Sequence, residues 1–177
     1  MKSKSWLVSV GVTVSLAALA TGVAISAQDK NTVKVPGGLG FAEFKGYESW
    51  ETIAVSHSAT LIAVIVGNPA MINAYKAGIP GNGKPFPDGA KMAKIHWTPK
   101  KSADAPAPTT VPGTLHDIDF MVRDSKRFPT GAWGYAQFLY DAASDTFKPD
   151  GTGANCGVAC HTIVKSKDYV FTAYPKR

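Results

Sequence analysis

Both cysteines of the chain lie in one short stretch near its carboxyl end, and a histidine directly follows the second of them (residues 155–161, NCGVACH). Thiols this close together can add to the two vinyl groups of a haem, and the adjacent imidazole can bind the iron as proximal ligand. The usual attachment motif has two residues between its cysteines, whereas this one has three. The stretch therefore predicts one covalently attached haem c, with Cys156 and Cys160 as attachment residues and His161 as the metal ligand.

A disulfide between Cys156 and Cys160 is the alternative interpretation of the same stretch. Exported proteins often oxidise paired cysteines, and a bridge across three intervening residues is short but feasible. The protein would then be a colourless binding domain, and His161 would have no role in binding a metal. The adjacency of a cysteine and a histidine favours haem, because this pair is rare by chance.

The first 27 residues have the pattern of a secretory signal peptide. Lys2 and Lys4 form a basic start, a largely apolar run follows, and the small residues at 24–27 are typical of a cleavage site. An uncleaved membrane anchor is the alternative, because the apolar run approaches the length that spans a bilayer. Both interpretations export the body of the chain, and we expect a periplasmic protein.

Length and charge restrict the function further. Residues 28–177 have the length of a single domain with one core. The full chain of 177 residues carries a formal charge of +6, and its basic residues are scattered along the sequence. A scattered charge of this size does not indicate a nucleic-acid surface. We therefore expect one haem-binding domain over residues 28–177 and no nucleic-acid partner.

Short strand-like segments, separated by turn residues, follow one another through this domain. Strands are predicted at 60–66, 90–97, 115–122 and 133–140, with a last strand-like piece at 168–172. Short helices are predicted around Tyr47 and Trp50, over 70–77 after Pro69, and at the haem motif. The segments predicted to lack regular structure are an extended lead-in at 28–46, a loop or mobile flap at 98–113 and a polar loop at 141–153.

This order of elements predicts an α+β, mainly β fold, in which an antiparallel sheet with a few short helices forms a single haem-binding domain. It excludes the common small cytochromes c, which are all-helical and attach haem near the amino terminus. It also excludes the four-helix-bundle cytochromes, because long amphipathic helices are absent from the pattern.

Several motifs, taken together in their order and spacing, resemble the cytochrome P-460 family and its NO-binding relatives, the cytochromes c′-β. They are Tyr47-x-x-Trp50, Phe86-x-Asp88-Gly89 with Lys94 five residues on, Arg123 to Phe128, Trp133-x-x-Ala136, Cys160-His161 and Asp168-x-Val170-Phe171-Thr172. The resemblance covers most of the domain. It implies a haem fold dominated by β-sheet, often a homodimer, with a five-coordinate iron whose proximal ligand is His161.

In that family a lysine on the strand after the Phe-x-Asp-Gly motif bonds covalently to a haem meso carbon, and the matching residue is Lys94. Alternation along the predicted strand puts Lys94 on one face with Met92 and His96, and this face is turned either to the haem or to solvent. The resemblance favours the haem-facing interpretation, which makes Lys94 a cofactor-binding and catalytic residue. Phe86 is a candidate for capping the distal side of the haem, and plain core is its alternative.

The resemblance implies chemistry on small nitrogen species, since cross-linked members of the family oxidise hydroxylamine and other members bind NO. Two departures favour NO binding: the strand at 60–66 lacks the family's arginine, and no carboxylate matches a distal acid or base. We therefore expect a mono-haem oxidoreductase for hydroxylamine, passing electrons to an acceptor cytochrome, or an NO-binding protein. An electron-transfer cytochrome with a saturated iron is the third alternative. Further distal candidates, for which surface or core roles are commoner, are His57, Met71, Met92 and Met121.

Overall fold

The computed structural model of the chain describes residues 28–36, 38–129, 131–150 and 153–177, with side chains in the last range described from Gly157 onward. The predicted signal peptide, residues 1–27, lies outside these ranges. Within them, no helix has both the length and the apolar character that crossing a bilayer requires.

The described residues form a six-stranded sheet whose strands pair in the order of the sequence, each antiparallel to the next. The strands are β1 Glu51–His57, β2 Ile62–Gly67, β3 Lys91–Lys101, β4 Thr110–Arg123, β5 Trp133–Asp141 and β6 Thr146–Pro149. Each of the predicted strands from 60–66 to 133–140 is present. The predicted fold class, an antiparallel sheet with a few short helices, is confirmed.

Two α-helices accompany the sheet: α1 Pro69–Lys76 and α2 Gly153–His161. Pro69 occupies the first turn of α1, and the side chain of Asn68 caps the helix by accepting a hydrogen bond from the Met71 amide at 3.0 Å. This is the arrangement expected at a helix start. Short 3₁₀ helices lie at Lys30–Thr32, Phe41–Phe44, Tyr47–Ser49 and Thr162–Lys167.

Both faces of the sheet are covered, and they are covered by different parts of the chain. The lead-in before β1 packs its apolar side chains, including Phe41 and Phe44, on one face, where they contact Phe120 of β4. Helix α1 and the carboxyl-terminal segment pack on the other face around Met92 and Met121. The two-residue period of a strand therefore sends neighbouring side chains of β3 and β4 into two separate cores.

Several segments differ from the sequence expectation. The lead-in at 28–46, predicted to lack regular structure, contains 3₁₀ helices at Lys30–Thr32 and Phe41–Phe44, and β1 was not among the predicted strands. Most of the predicted flap at 98–113 is strand, because β3 continues to Lys101 and β4 begins at Thr110, which leaves 102–109 as the loop of a long hairpin. Two of the prolines lie within this hairpin, where Pro99 of β3 is paired with Pro112 of β4. The predicted loop at 141–153 contains the edge strand β6, and 168–172 is irregular, since Asp168 and Tyr169 both have positive φ.

The ring of Phe120 is the centre of the core on the lead-in face. It stacks on Phe44 with 4.1 Å between ring centroids and meets Tyr47 edge-on at 5.2 Å. We expect Phe120→Ala to lower the free energy of unfolding by about 3–5 kcal/mol, because it removes a large side chain that is 2 % exposed. Urea unfolding followed by tryptophan fluorescence measures this loss.

The matched control is Ile163→Ala, because Ile163 is 79 % exposed. This change should alter the free energy of unfolding by no more than about 0.5 kcal/mol. A loss below about 1 kcal/mol for Phe120→Ala would contradict the assignment of this ring to a tightly packed core.

Candidate haem site

The candidate site begins with two rows of side chains across β3, β4 and β5. The strand register aligns Lys94 with Asp119 and Asp119 with Gln137. The neighbouring row on the same face is Met92, Met121 and Tyr135. One polar row and one largely apolar row thus run side by side, and all six side chains line the same cavity.

The cavity has a volume of about 650 Å³ and lies between this face of the sheet, helix α2 and the carboxyl-terminal residues 170–173. Strand β1 contributes Ala54, Val55 and Ser56 to its rim, and α2 contributes Cys160 and His161. A volume of several hundred cubic ångströms with a mainly apolar wall and a few convergent polar groups is typical of a site for a cofactor-sized ligand.

One ring nitrogen of His161 makes a hydrogen bond, and the other is free to bind a metal. Its Nδ1 donates a hydrogen bond to the backbone carbonyl of Tyr169 at 2.6 Å. The imidazole also packs against the rings of Tyr135 and Phe171, at centroid distances of 4.7 and 5.0 Å. A hydrogen bond from Nδ1 fixes the tautomer in which Nε2 carries a lone pair, which is the form that binds a metal.

The electrostatic surroundings of His161 favour the same neutral form. Desolvation lowers the pKa of the imidazole, and the positive charge of Lys94 acts in the same direction, whereas the hydrogen bond to Tyr169 acts against both. A lowered pKa keeps the ring unprotonated, so its lone pair remains ready for a metal near neutral pH.

Asp168 holds the turn that presents the Tyr169 carbonyl. Its carboxylate accepts hydrogen bonds from the Phe86 amide at 2.7 Å and from Nε of Arg123 at 3.2 Å. Arg123 also donates to Asp88 at 3.0 Å. These bonds tie the left-handed turn at 168 and 169 to the end of β4, so the family motif residues Asp88, Arg123 and Asp168 act together to position the partner of His161.

Gly157, between the two cysteines, permits the close approach of α2 to the sheet. A Cβ at this position would lie 2.5 Å from Cγ of Tyr135, well inside contact distance. The absence of a side chain therefore lets the helix that carries His161 rest directly on β5.

The two cysteines occupy positions 156 and 160 of α2, one helical turn apart. Cys160 is exposed and lines the cavity, and it precedes His161 directly. The side chain of Cys156 lies outside the described residues. Haem attachment by both cysteines stays a prediction, and so does its alternative, a disulfide between them.

Lys94 lines the cavity from the sheet, on the same wall as Met92 and Asp119. Ala93 and Ile95, its neighbours along β3, belong to the core on the other face. Within the part of the chain that the structure describes, the Lys94 ammonium makes no hydrogen bond and no ion pair. A cation placed in a cavity wall without a partner is costly unless it is modified or solvated.

The other residues that the sequence suggested for the site do not all lie at the cavity. Phe86 is 1 % exposed and packs against Tyr75 and Trp133 in the core beneath the cavity, and it is not among the cavity-lining residues. His57 is exposed at the end of β1. Of the methionines considered, Met92 and Met121 line the cavity, whereas Met71 is a fully buried residue of α1.

Asp119 is the functional candidate that the sequence analysis missed. It lies opposite Lys94 on β4 and lines the cavity, where burial, followed by the charge of Asp117, raises the pKa of its carboxyl to about 6. A signal was present: Asp117 and Asp119 alternate with Ile118 and Phe120 in a predicted strand. Acids repeated on one face of a strand with both faces covered would have indicated a polar site.

The donor set fits a haem. A histidine with a free Nε2, an adjacent cysteine and an apolar cavity wall meet on one side of the sheet. These are the residues that would hold the iron and one edge of the ring, and Met92, Met121 and Tyr135 would contact the macrocycle.

Comparison with protein families agrees with this geometry. Residues 44–172 match the model of the family described as cytochrome P-460. The match contains every motif on which the sequence resemblance rests, and it confirms that resemblance. No curated protein sequence matches the chain.

His161→Ala tests the proximal role. We expect the variant to lose the Soret and electron paramagnetic resonance signals of the haem-loaded parent, because Nε2 is the atom that the fold leaves free for the iron. Added imidazole should restore them by occupying the vacated space. His57→Ala is the matched control, since His57 is exposed away from the cavity, and unchanged spectra in His161→Ala would exclude His161 as the ligand.

Proposed function

Since the chain belongs to the cytochrome P-460 family and is therefore a haem-binding cytochrome, we propose that it is an exported c-type protein that oxidises hydroxylamine at an open iron position. The observation that carries this proposal is Asp119, a carboxylate with a raised pKa in the wall of the same cavity as His161. Cys156 and Cys160 attach the haem, His161 binds the iron, and the protein works in the periplasm, as a homodimer.

The reaction requires a proton acceptor. Oxidation of hydroxylamine to nitric oxide releases three protons and three electrons, and the electrons pass one at a time to an external acceptor such as an oxidised cytochrome. The haem, when bound, supplies the site at which the small molecule binds and the path by which its electrons leave. Asp119 accepts protons from the nitrogen and oxygen of the substrate, and Gln137 orients it, since their side chains interact.

The ionisation of Asp119 sets the expected pH dependence. Because its pKa is raised to about 6, the carboxylate that can accept a proton predominates above that pH and is lost as the pH falls through it. A base that titrates close to the working pH is efficient, since it combines the correct protonation state with sufficient basicity.

Asp119→Asn should lower the rate of hydroxylamine oxidation by about 10²–10⁴-fold, because the amide cannot accept a proton. The wild-type rate should rise as the pH increases through about 6, and the variant should lack this step. Steady-state assays with a one-electron oxidant across the pH range measure both effects.

Asp104→Asn is the control for this experiment, since Asp104 is exposed in the hairpin loop. If Asp119→Asn keeps both the rate and the pH step, Asp119 is not the base. If the wild-type protein does not consume hydroxylamine, the catalytic proposal is wrong.

We further propose that Lys94 is bonded to the edge of the haem. Its side chain enters the cavity without a hydrogen bond or an ion pair among the described residues, close enough for its charge to affect the pKa of His161. Forming the bond replaces an N–H and a C–H by a C–N bond and releases two protons and two electrons. It therefore needs an external oxidant of the peroxide class during maturation.

Lys94→Ala should shift the ferrous absorption of the protein from a strongly red-shifted band to that of an ordinary c-type haem, because the bond changes the electronic structure of the ring. Optical spectra of the reduced protein make this comparison. Lys100→Ala is the control, since Lys100 is exposed further along the same strand. Identical ferrous spectra for Lys94→Ala and the parent would exclude the bond.

Reversible NO binding without turnover is the second candidate. It is favoured by the wall that β1 and β2 contribute, because the residues there, Ala54, Val55, Ser56 and Ile65, carry no charge that could stabilise a developing anion. Binding of NO to the reduced protein, with no consumption of hydroxylamine, would select this function.

A further inference from the structure

A group of buried and half-buried titratable side chains continues from the cavity wall to the protein surface. Asp117 lies two residues before Asp119 on the same face of β4, is 2 % exposed and lies directly opposite His96 of β3. Nδ1 of His96 is 2.6 Å from Oδ1 of Asp117. The other carboxylate oxygen of Asp117 is hydrogen-bonded to Nδ1 of His116. Half of the His116 side-chain surface is accessible.

A β-bulge makes this arrangement possible. His96 pairs with Asp117 and Trp97 pairs with Leu115, so His116 is an extra residue without a partner in the register. Consecutive strand residues normally point to opposite faces, and a bulge redirects one of them. The irregularity therefore turns His116 toward the carboxylate of the residue that follows it.

We propose that His96, Asp117 and His116 form a proton-exit route that carries protons from Asp119 in the cavity to solvent at His116. The proposal rests on the proposed function, because it assigns the departure of the protons that the oxidation releases. His96, Asp117 and His116 are positioning and relay residues, since none of them touches the substrate.

Each transfer moves one proton and no electron. Nδ1 of His96 gives the proton of its hydrogen bond to Oδ1 of Asp117 and takes up the proton held by Asp119 in the same step, so the number of protons on the ring does not change. After rotation of the carboxyl group, Asp117 gives its proton to Nδ1 of His116 in the tautomer that is protonated at Nε2, and Nε2 releases its proton to water. The first step spans 3.8 Å between Asp119 Oδ2 and His96 Nδ1, longer than a hydrogen bond. The soft terminal torsion of the aspartate allows this gap to close.

The charges along the route give its two carboxylates different roles. Burial alone would raise the pKa of Asp117, but the hydrogen bonds from His96 and His116 lower it below its usual range. Asp119 has the opposite shift, with a pKa raised to about 6. Asp119 therefore stores a proton, whereas the acid form of Asp117 is short-lived and passes its proton on.

The geometry favours a proton path over a metal site. Ligand atoms of His96, Asp117 and Asp119 lie within 4.8 Å of one another, a cluster that could suggest a cation. Two ligands of a tetrahedral zinc ion, each at about 2.1 Å from it, would lie about 3.4 Å apart. The 2.6 Å between His96 and Asp117 is a hydrogen-bond distance instead.

Several ionisable groups face Asp119, and any pH effect must be compared with their contributions. They are Lys94 and His96 from β3, Asp117 from β4, Tyr135 from β5, and Cys160 and His161 from α2. Of this set, His96 and Asp117 belong to the proposed route. The test therefore changes His116, which lies at the surface end and outside the cavity wall.

The decisive variant is His116→Gln, which retains a hydrogen-bond donor for Asp117 but cannot carry a proton. Proton release during hydroxylamine oxidation is followed by stopped flow with a pH-indicator dye in weakly buffered solution. We expect release to slow by roughly ten-fold or more. A high concentration of a bulky morpholine-sulfonate buffer should restore it, because buffer molecules replace the missing surface group.

A second measurement needs no turnover. In the haem-loaded protein at a pH below about 6, Asp119 is protonated, and infrared spectroscopy reports its carboxylic acid band, identified by its loss in Asp119→Asn. Transfer to heavy water shifts this band at the rate at which protons exchange with solvent. His116→Gln and Asp117→Asn should both slow that exchange.

The matched control is His57→Gln, an exposed histidine on β1 outside the route, which should leave both rates unchanged. Unaltered release and exchange in His116→Gln would overturn the proposal, and so would slow release that buffer does not restore. A wild-type protein that does not oxidise hydroxylamine would refute the proposed function alone, since the infrared exchange still tests the route.

Discussion

The hydrogen bond from His161 to the carbonyl of Tyr169 is the interaction on which the site depends. It fixes the tautomer, directs Nε2 away from the backbone and couples the helix that carries the cysteines to the carboxyl-terminal turn. That turn has two consecutive residues with positive φ, Asp168 and Tyr169. Residues other than glycine rarely adopt this backbone conformation. The carboxylate of Asp168, bonded to Arg123 and to the Phe86 amide, holds this unfavourable geometry in place.

Side chains that stabilise the core and side chains that line the cavity alternate along the strands, so they lie on opposite faces of the sheet. On β4, Ile118 and Phe120 enter the core under the lead-in, whereas Asp117 and Asp119 lie on the face with the cavity. Polar groups can be retained there because each has a partner: Gln137 for Asp119, and two histidines for Asp117. A fully buried aspartate is otherwise expensive, and its hydrogen bonds offset that cost.

Much of the fold could be predicted from the sequence, because many of its elements depend on residues that are close together in the chain. The helix after Pro69 and the four central strands follow from patterns that a few neighbouring residues carry, and the cysteine-histidine pair singled out His161, which lines the cavity. The flap at 98–113 was mistaken for a loop because its prolines weigh against strand, whereas here Pro99 and Pro112 face each other at an irregular point of the register. The Asp119 site was missed since it depends on which residue of β3 lies opposite it, and pairing across strands is not visible in one segment.

The bulge at His116 shows how far a single extra residue can determine the polar part of the site. Without it, the register of β3 and β4 would continue unchanged, and His116 would lie on the face opposite to Asp117. Asp117 would then be a buried carboxylate with one histidine partner, and its pKa would move up toward that of Asp119. Two neighbouring carboxylates with similar pKa values compete for the same proton. The bulge keeps their pKa values apart, which allows one to retain a proton while the other remains charged.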